Sequence, residues 1–250
     1  MIRPERYAGA LVVFADIATD NDTLQLLGEE TSKLVVLDHH ISAQRRFEAE
    51  PGLAAWLKSR GHQVDFDLSH SGAVLAWQHF HPDVPAPDLL RYVEDQDLWR
   101  FALPASLEVN AAIASHPRSF DAWEGLAKLP LERLAADGEP IVRAQRMEIE
   151  HTLRNVHPIR LEELRLEAVN AIHLRSHLGH ELATRASFGS PCGAVYRIVG
   201  ARVDVSLYSV GEFDVAELAA RMGGGGHRNA AGFTLPLREW LDRFVREERP

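Results

Sequence analysis

Apolar residues near the start of the chain gather in short unbroken runs, with helical spacing between them. Ala10-Leu-Val-Val-Phe-Ala15 and Leu34-Val-Val-Leu37 are continuous, the pattern of parallel strands covered on both faces. Between them Asp20, Asn21 and Asp22 offer N-caps for a helix through Leu24, Leu27 and Glu30. Strand, helix and strand in that space read as a tight βαβ unit. Further helices are predicted over residues 52–60, over Ala73–Phe80 behind caps at Asp67 to Ser71, and from Asp88 into Glu94-Asp95-Gln96-Asp97. The stretch 104–126 also reads as helical, broken at Pro117.

From Leu131 to Asn155 the apolar positions thin out among charges, with Gly138 and Pro158 as punctuation, which predicts a connecting helix. Strands return after Pro158. Leu164–Ile172 alternates, Ser176–Ala186 is helical, and Gly193–Val199 with Arg202–Ser209 reads as a hairpin about Gly200-Ala201. Asp214 caps a helix over Val215–Met222, and the glycine run Gly223–Gly226 follows. The predicted fold class is α/β: a parallel-sheet domain over 1–130, a helical linker over 131–158 and a smaller α/β domain over 159–250.

Composition narrows the partners. The 250 residues are 46% hydrophobic, enough for a sizeable core. Against 36 acidic residues stand 27 Lys and Arg, a net charge of −9. That balance argues against long duplex DNA, whose affinity comes from neutralising many phosphates. A small phosphorylated ligand at one local site remains compatible. Cys192 is the single cysteine, so intrachain disulfides and thiolate metal clusters are excluded. The longest apolar stretch, Ala8–Ala15, is far short of the roughly 20 residues of a bilayer span, and no apolar signal segment follows Met1. A cytoplasmic protein with no membrane partner is expected.

Asp16 and Asp38-His39-His40 each follow a buried run directly, and the carboxyl ends of parallel strands form the ligand crevice of an open sheet. One short crossover therefore brings a carboxylate and an imidazole together. Asp95 or Asp97 could add a further oxygen donor. Carboxylates with one imidazole suit Mn²⁺ or Mg²⁺. An acid after a strand is also an ordinary cap or turn residue, so spacing alone leaves the metal site an even choice. At Gly223–Gly226 backbone amides can approach an anion closely, with His227 beside them; a plain glycine turn is the simpler alternative.

These pieces in this order resemble the DHH phosphoesterase superfamily. Leu37-Asp38-His39-His40 with Asp16 is similar to its signature, and Ser71-Gly-Ala and Tyr92-Val-Glu-Asp95-Gln-Asp97-Leu-Trp99 sit where it has a helix start and its last acidic motif. Gly224-Gly-Gly-His227 with Ala230-Ala-Gly232 resembles the DHHA1 domain that accompanies it. The short form is closest in kind to the nano-RNase and pAp-phosphatase branch. The resemblance implies Asp16, His39 and Asp95 as metal ligands, with Asp97 the alternate. It further implies Asp38 orienting His39, His40 facing the scissile phosphate, and Gly224, Gly225, Gly226 and His227 holding substrate phosphates. Mn²⁺, with Mg²⁺ as the alternative, would be the cofactor. The substrate would be short single-stranded RNA cleaved from its 3′ end, or a pAp-like nucleotide; assembly is left open, a homodimer included.

Two departures qualify that expectation. Complete members begin with a His/Asp-rich strand, and Met1–Gly9 holds neither His nor Asp. Ligand counting then leaves one ion on three residues and a second ion with only a shared Asp16, so weak or absent hydrolysis is expected of this chain alone. Tyr208 stands where the family often carries Arg, removing a phosphate contact. A catalytically degenerate nucleotide- or RNA-binding module and an incomplete version of an active enzyme are the alternatives.

Overall fold

The computed structural model describes residues 2–245, whose contacts fall into two compact units, Met1–Arg143 and Ala144–Pro250. The N-terminal unit is built on a three-stranded parallel sheet, β1 (Leu11–Ala15), β2 (Lys33–Asp38) and β3 (Gln63–Phe66), in the order β1-β2-β3. The α1 helix (Asn21–Glu30) joins β1 to β2, capped by Asp20, whose carboxylate accepts the Thr23 N–H. Then α2 (Ile41–Glu48) and α3 (Pro51–Ser59) lead to β3.

Central β2 shows why the apolar run had to be continuous. Leu34 and Val36 pack with Leu24, Leu27, Phe47, Leu53 and Leu57 in one cluster, whereas Val35 and Leu37 pack with Leu75 in another. Successive side chains of a strand point to opposite faces, so both faces are buried only when every position is apolar. The equally apolar β1 departs from expectation: it is exposed at both ends and half-buried between, because it lies at the sheet edge. Strand β3 escaped prediction because Gln63 and Asp65 interrupt it, and α2 because it starts immediately after His40.

Helices α4 (Gly72–Phe80), α5 (Asp88–Asp97), α6 (Ser106–Ala114) and α7 (Phe120–Leu126) follow. The long α8 (Leu131–Thr152) carries buried Leu134, Gly138 and Val142, which repeat every four residues along one stripe. Gly138 is not a terminus, as punctuation suggested, but lies inside this helix. A Cβ there would meet the Glu108 carbonyl oxygen of α6 at 1.8 Å. Pro140, also internal, sits on the exposed side, where a lost backbone donor costs least.

The C-terminal unit is a six-stranded mixed sheet ordered β4-β5-β6-β7-β9-β8. Its members are β4 (His157–Leu161), β5 (Leu164–Asn170), β6 (Cys192–Val199), β7 (Arg202–Ser209), β8 (Gly225–His227) and β9 (Ala230–Pro236). Pro158 is accommodated because β4 is an edge strand. Parallel β5 and β6 are linked through α9 (Arg175–Arg185), and β6–β7 is the expected hairpin, with Gly200 at φ +59°. Asp214 caps α10 (Val215–Arg221) through the Ala216 and Glu217 N–H groups. No helix among the described residues is long and apolar enough to cross a membrane.

Gly138→Ala is expected to destabilise the chain by about 1–3 kcal/mol, since the added methyl meets backbone and the helices must separate. Urea unfolding checks it; an unchanged midpoint would show that the α6–α8 approach is looser than the structure has it.

Candidate metal centre

The cluster forms where β1 and β2 end. Asp16 follows β1 with its backbone N–H bonded to the Leu37 carbonyl, 2.9 Å away, and adopts φ +66°. A residue with a Cβ enters that left-handed region at a cost, so the surroundings must hold it there. Gly72, the first residue of α4, provides the space: a Cβ on it would fall 2.4 Å from the Asp16 Cβ and Oδ1. Ser71 caps α4 through the Val74 N–H, and its own N–H donates to Glu94 Oε2 at 2.9 Å. His70 Nδ1 lies 3.1 Å from the same oxygen. The Glu94 carboxylate thus ties the start of α4 to α5.

His39 is 2% exposed and is the centre of the arrangement. Its Nε2 lies 2.9 Å from Asp16 Oδ1 and 3.4 Å from Asp97 Oδ2. Both acids are solvent-accessible, at 56% and 40%, so the buried imidazole meets two carboxylates that open to water. Burial works against a charged His39, but the Asp16 hydrogen bond and the charges of Asp97, Asp16 and Asp38 outweigh it, and its pKa is raised. For Asp97, burial is the largest effect and pushes the carboxyl pKa up; His39 opposes it and the Asp16 charge adds to it. Two carboxylates converging on one imidazole is an arrangement that a divalent cation would relieve.

The two candidate acids of α5 separate cleanly. Asp95 is 4% exposed and turned away from the cluster, its Oδ1 and Oδ2 accepting the N–H groups of Ala102 and Leu103 at 3.0 and 3.2 Å. Burial would raise its pKa, but hydrogen bonds from Ser106, Ala102 and Leu103 hold it below the usual carboxylate value. The structure thus brings Asp97, the alternate, to the imidazole and leaves Asp95 outside the cluster. Positions i and i+2 of a helix face about 200° apart, so the two acids cannot serve the same side.

Asp38 also differs from expectation. It ends β2 fully buried, and its Oδ1 lies 2.7 Å from His40 Nδ1 while accepting the His39 N–H at 2.8 Å. Its ring partner is thus His40, because the carboxylate sits at the start of α2, where His40 is the N-cap residue. Burial opposes the charge, but the His40 bond and charge prevail and lower the Asp38 pKa. Asp38 Oδ2 is buried with no hydrogen-bond partner.

Two donor sets in this unit have ligand atoms within 4.8 Å of one another: Asp16, His39 and Asp97, and Asp16, Asp38 and His40. They share Asp16. Sequence counting assigned Asp16 alone to a second ion and missed this pairing, since it gave Asp38 to His39. Oxygen donors with a single imidazole in each set fit a hard divalent cation, and the unpartnered Asp38 Oδ2 is consistent with a cation nearby.

In the C-terminal unit, three residues of the glycine motif form a strand and not a turn. Gly225, Gly226 and His227 pair with Gly232, Ala231 and Ala230 at the edge of the sheet. A Cβ on Gly224 would lie 2.0 Å from the Gly232 carbonyl oxygen, and Gly226 has φ +146°. The run is glycine because the backbones approach too closely for side chains. Tyr208 packs against Gly179 of α9, its Oη 3.3 Å from Ser176 Oγ.

Asp97→Asn is expected to abolish saturable divalent-cation binding in calorimetry while leaving the melting temperature unchanged or higher, because it removes a carboxylate whose ionisation the site disfavours. Asp95→Asn is expected to do the reverse, costing about 2 kcal/mol through lost charge-assisted bonds while retaining the cation. Equal cation loss in both would contradict the division. Cation affinity should also climb with pH through and above 6.5, since the raised His39 pKa keeps the imidazole protonated, and so unable to bind, to a higher pH. A flat profile from pH 6 to 8 would overturn that.

Comparison with known proteins agrees with this architecture. Residues 176–248 match the DHHA1 domain family. An uncharacterized protein of Acanthamoeba polyphaga mimivirus, R106, is 28% identical over 231 residues, covering 90% of this chain and 53% of that protein. The chain thus spans about half the length of the curated relative it matches. Among solved structures, the DHH domain of a member of a family of ribosomal proteins aligns over 93% of this chain and 67% of its own, with 15% identity and a TM-score of 0.53. A pGpG-specific phosphodiesterase from Vibrio cholerae aligns over 92% and 94%, with 11% identity and a TM-score of 0.42. Residues 176–248 are thus similar to a DHHA1 domain, and the two-unit α/β architecture shares the fold of a DHH-domain structure.

Proposed function

We propose that the chain is a Mn²⁺-dependent phosphoesterase acting on short oligoribonucleotides or small pAp-like nucleotides. The observation that carries this reading is the convergence of the Asp16 and Asp97 carboxylates on buried His39 at the carboxyl ends of β1 and β2. Asp16, His39 and Asp97 would hold the ion, which when bound supplies Lewis-acid polarisation of a phosphoryl group. Mg²⁺ is the alternative occupant.

The other residues have roles that follow from their bonds. Asp38 Oδ1, 2.7 Å from His40 Nδ1, would orient the His40 ring, which would face the scissile phosphate. The His40 side chain is 33% exposed and so accessible to a ligand. Gly224, Gly225, Gly226 and His227 would take the substrate's phosphates in the C-terminal unit. The net charge of −9 suits a small substrate held locally better than a long polyanion.

Hydrolysis of a labelled short oligoribonucleotide and of pAp, with Mn²⁺ and with EDTA, tests the reading. The expected result is weak Mn²⁺-dependent cleavage, slowed by the missing first His/Asp motif and reduced at least about a hundredfold further in His39→Ala, as for the loss of a preorganised catalytic group. A folded chain that binds the oligonucleotide equally well with EDTA and as His39→Ala, without cleaving it, would replace the enzyme with a binding module.

A further inference from the structure

The two carboxylates that meet at His39 belong to separate elements: Asp16 follows β1, and Asp97 is the last residue of α5. A cation site tolerates only about 0.5 Å of error in such a pair, so their separation has to be fixed by something around them. The contacts trace one route. Asp16 lies against Gly72, where an added Cβ would fall 2.4 Å from its Oδ1. Gly72 follows Ser71, whose N–H donates to Glu94 Oε2 at 2.9 Å. Glu94 stands three residues before Asp97, one helical turn and about 4.5 Å along the same side of α5.

An acid is a costly choice at this position. The Glu94 side chain is only 13% exposed, and after burial, the largest cause, its charge joins that of Asp16 in raising the Asp97 pKa. An apolar residue would hold α4 to α5 without either cost. What the carboxylate adds is direction. Oε2 accepts the Ser71 N–H and lies 3.1 Å from His70 Nδ1, while Oε1 lies 3.6 Å from Arg100 Nη1. Arg100 Nη2 in turn donates to the Ser69 carbonyl at 2.6 Å. Residues 69, 70 and 71 are thus all tied to the end of α5, and a charge-assisted bond to a backbone N–H is short and well oriented.

We propose that Glu94 is a positioning residue for the metal centre: its Oε2 bond to the Ser71 N–H sets the distance between the Asp16 and Asp97 carboxylates. It acts through Ser71 and Gly72, not as a ligand. The inference deepens the reading above and rests on it for the cation.

Two variants of the full chain separate geometry from charge. Glu94→Gln keeps an oxygen of the same reach and removes the charge; Glu94→Asp keeps the charge and draws the oxygens back by one methylene. Mn²⁺ binding, measured by calorimetry, is expected to weaken at most about threefold in Glu94→Gln, the effect of one screened charge. In Glu94→Asp it should weaken at least about tenfold, the scale of one hydrogen bond to a charged group. The reverse pattern would show Glu94 acting by its charge and would overturn the proposal, as would equal affinity in all three chains. Should Glu94→Asp not fold, Ser71→Pro removes the same N–H at a φ of −74° that suits proline, and should bind at least about tenfold more weakly than Ser71→Ala, which keeps it. Crystal structures without metal give a readout independent of the cation. The 2.9 Å distance from Asp16 Oδ1 to His39 Nε2 should persist in Glu94→Gln and lengthen in Glu94→Asp; an unchanged distance in the latter would also overturn the proposal. A wild-type chain that binds no Mn²⁺ would end the metal-centre reading, and these distances alone would then decide the role of Glu94.

Discussion

Asp16 leaves β1 in a backbone conformation that favours glycine, and the cluster depends on its being held there. At φ +66° its carboxylate reaches the His39 ring, and its Cβ occupies the space that a side chain at position 72 would need. Strained non-glycine residues persist only where surrounding bonds over-determine them. Here the N–H bond to Leu37 restrains the residue from below, and α4, tied down by Ser71 and Glu94, restrains it from the side. Three elements are therefore spent on one carboxylate, which both candidate donor sets share.

Helix α5 shows how two acids two residues apart acquire unrelated tasks. Asp95 lies three residues beyond Tyr92 and six beyond Leu89, the other buried positions of the helix. It belongs to the inward stripe, where a carboxylate is tolerated only with its hydrogen bonds satisfied. The segment after α5 satisfies it: the Arg100 N–H bonds the Asp95 carbonyl, and those of Ala102 and Leu103 bond its carboxylate. Asp97 falls outside that stripe and faces the imidazole. One residue builds the turn after the helix; the other supplies charge to the site.

Much of this was legible in the residues. The apolar run of β2 foretold a strand buried on both faces, the caps at Asp20 and Asp214 foretold helix starts, and acids after strands foretold a cluster at their carboxyl ends. The inward turn of Asp95 was legible too, in the spacing from Leu89 and Tyr92, had that stripe been followed to its end. Other features had no local signal. The edge position of β1 depends on which strands pair, and the turn of Asp38 toward His40 depends on where α2 begins. Gly72 looks like an ordinary helix start until Asp16 is placed against it.

Arg175 marks the same limit in the other unit. In the sequence it is one basic residue at a helix start, where a positive charge meets an unfavourable helix dipole. Folding buries its Nε without a partner and places it beside three glycines that leave backbone uncovered. Polar atoms in such positions are uncommon in a stable interior, because each costs desolvation without return.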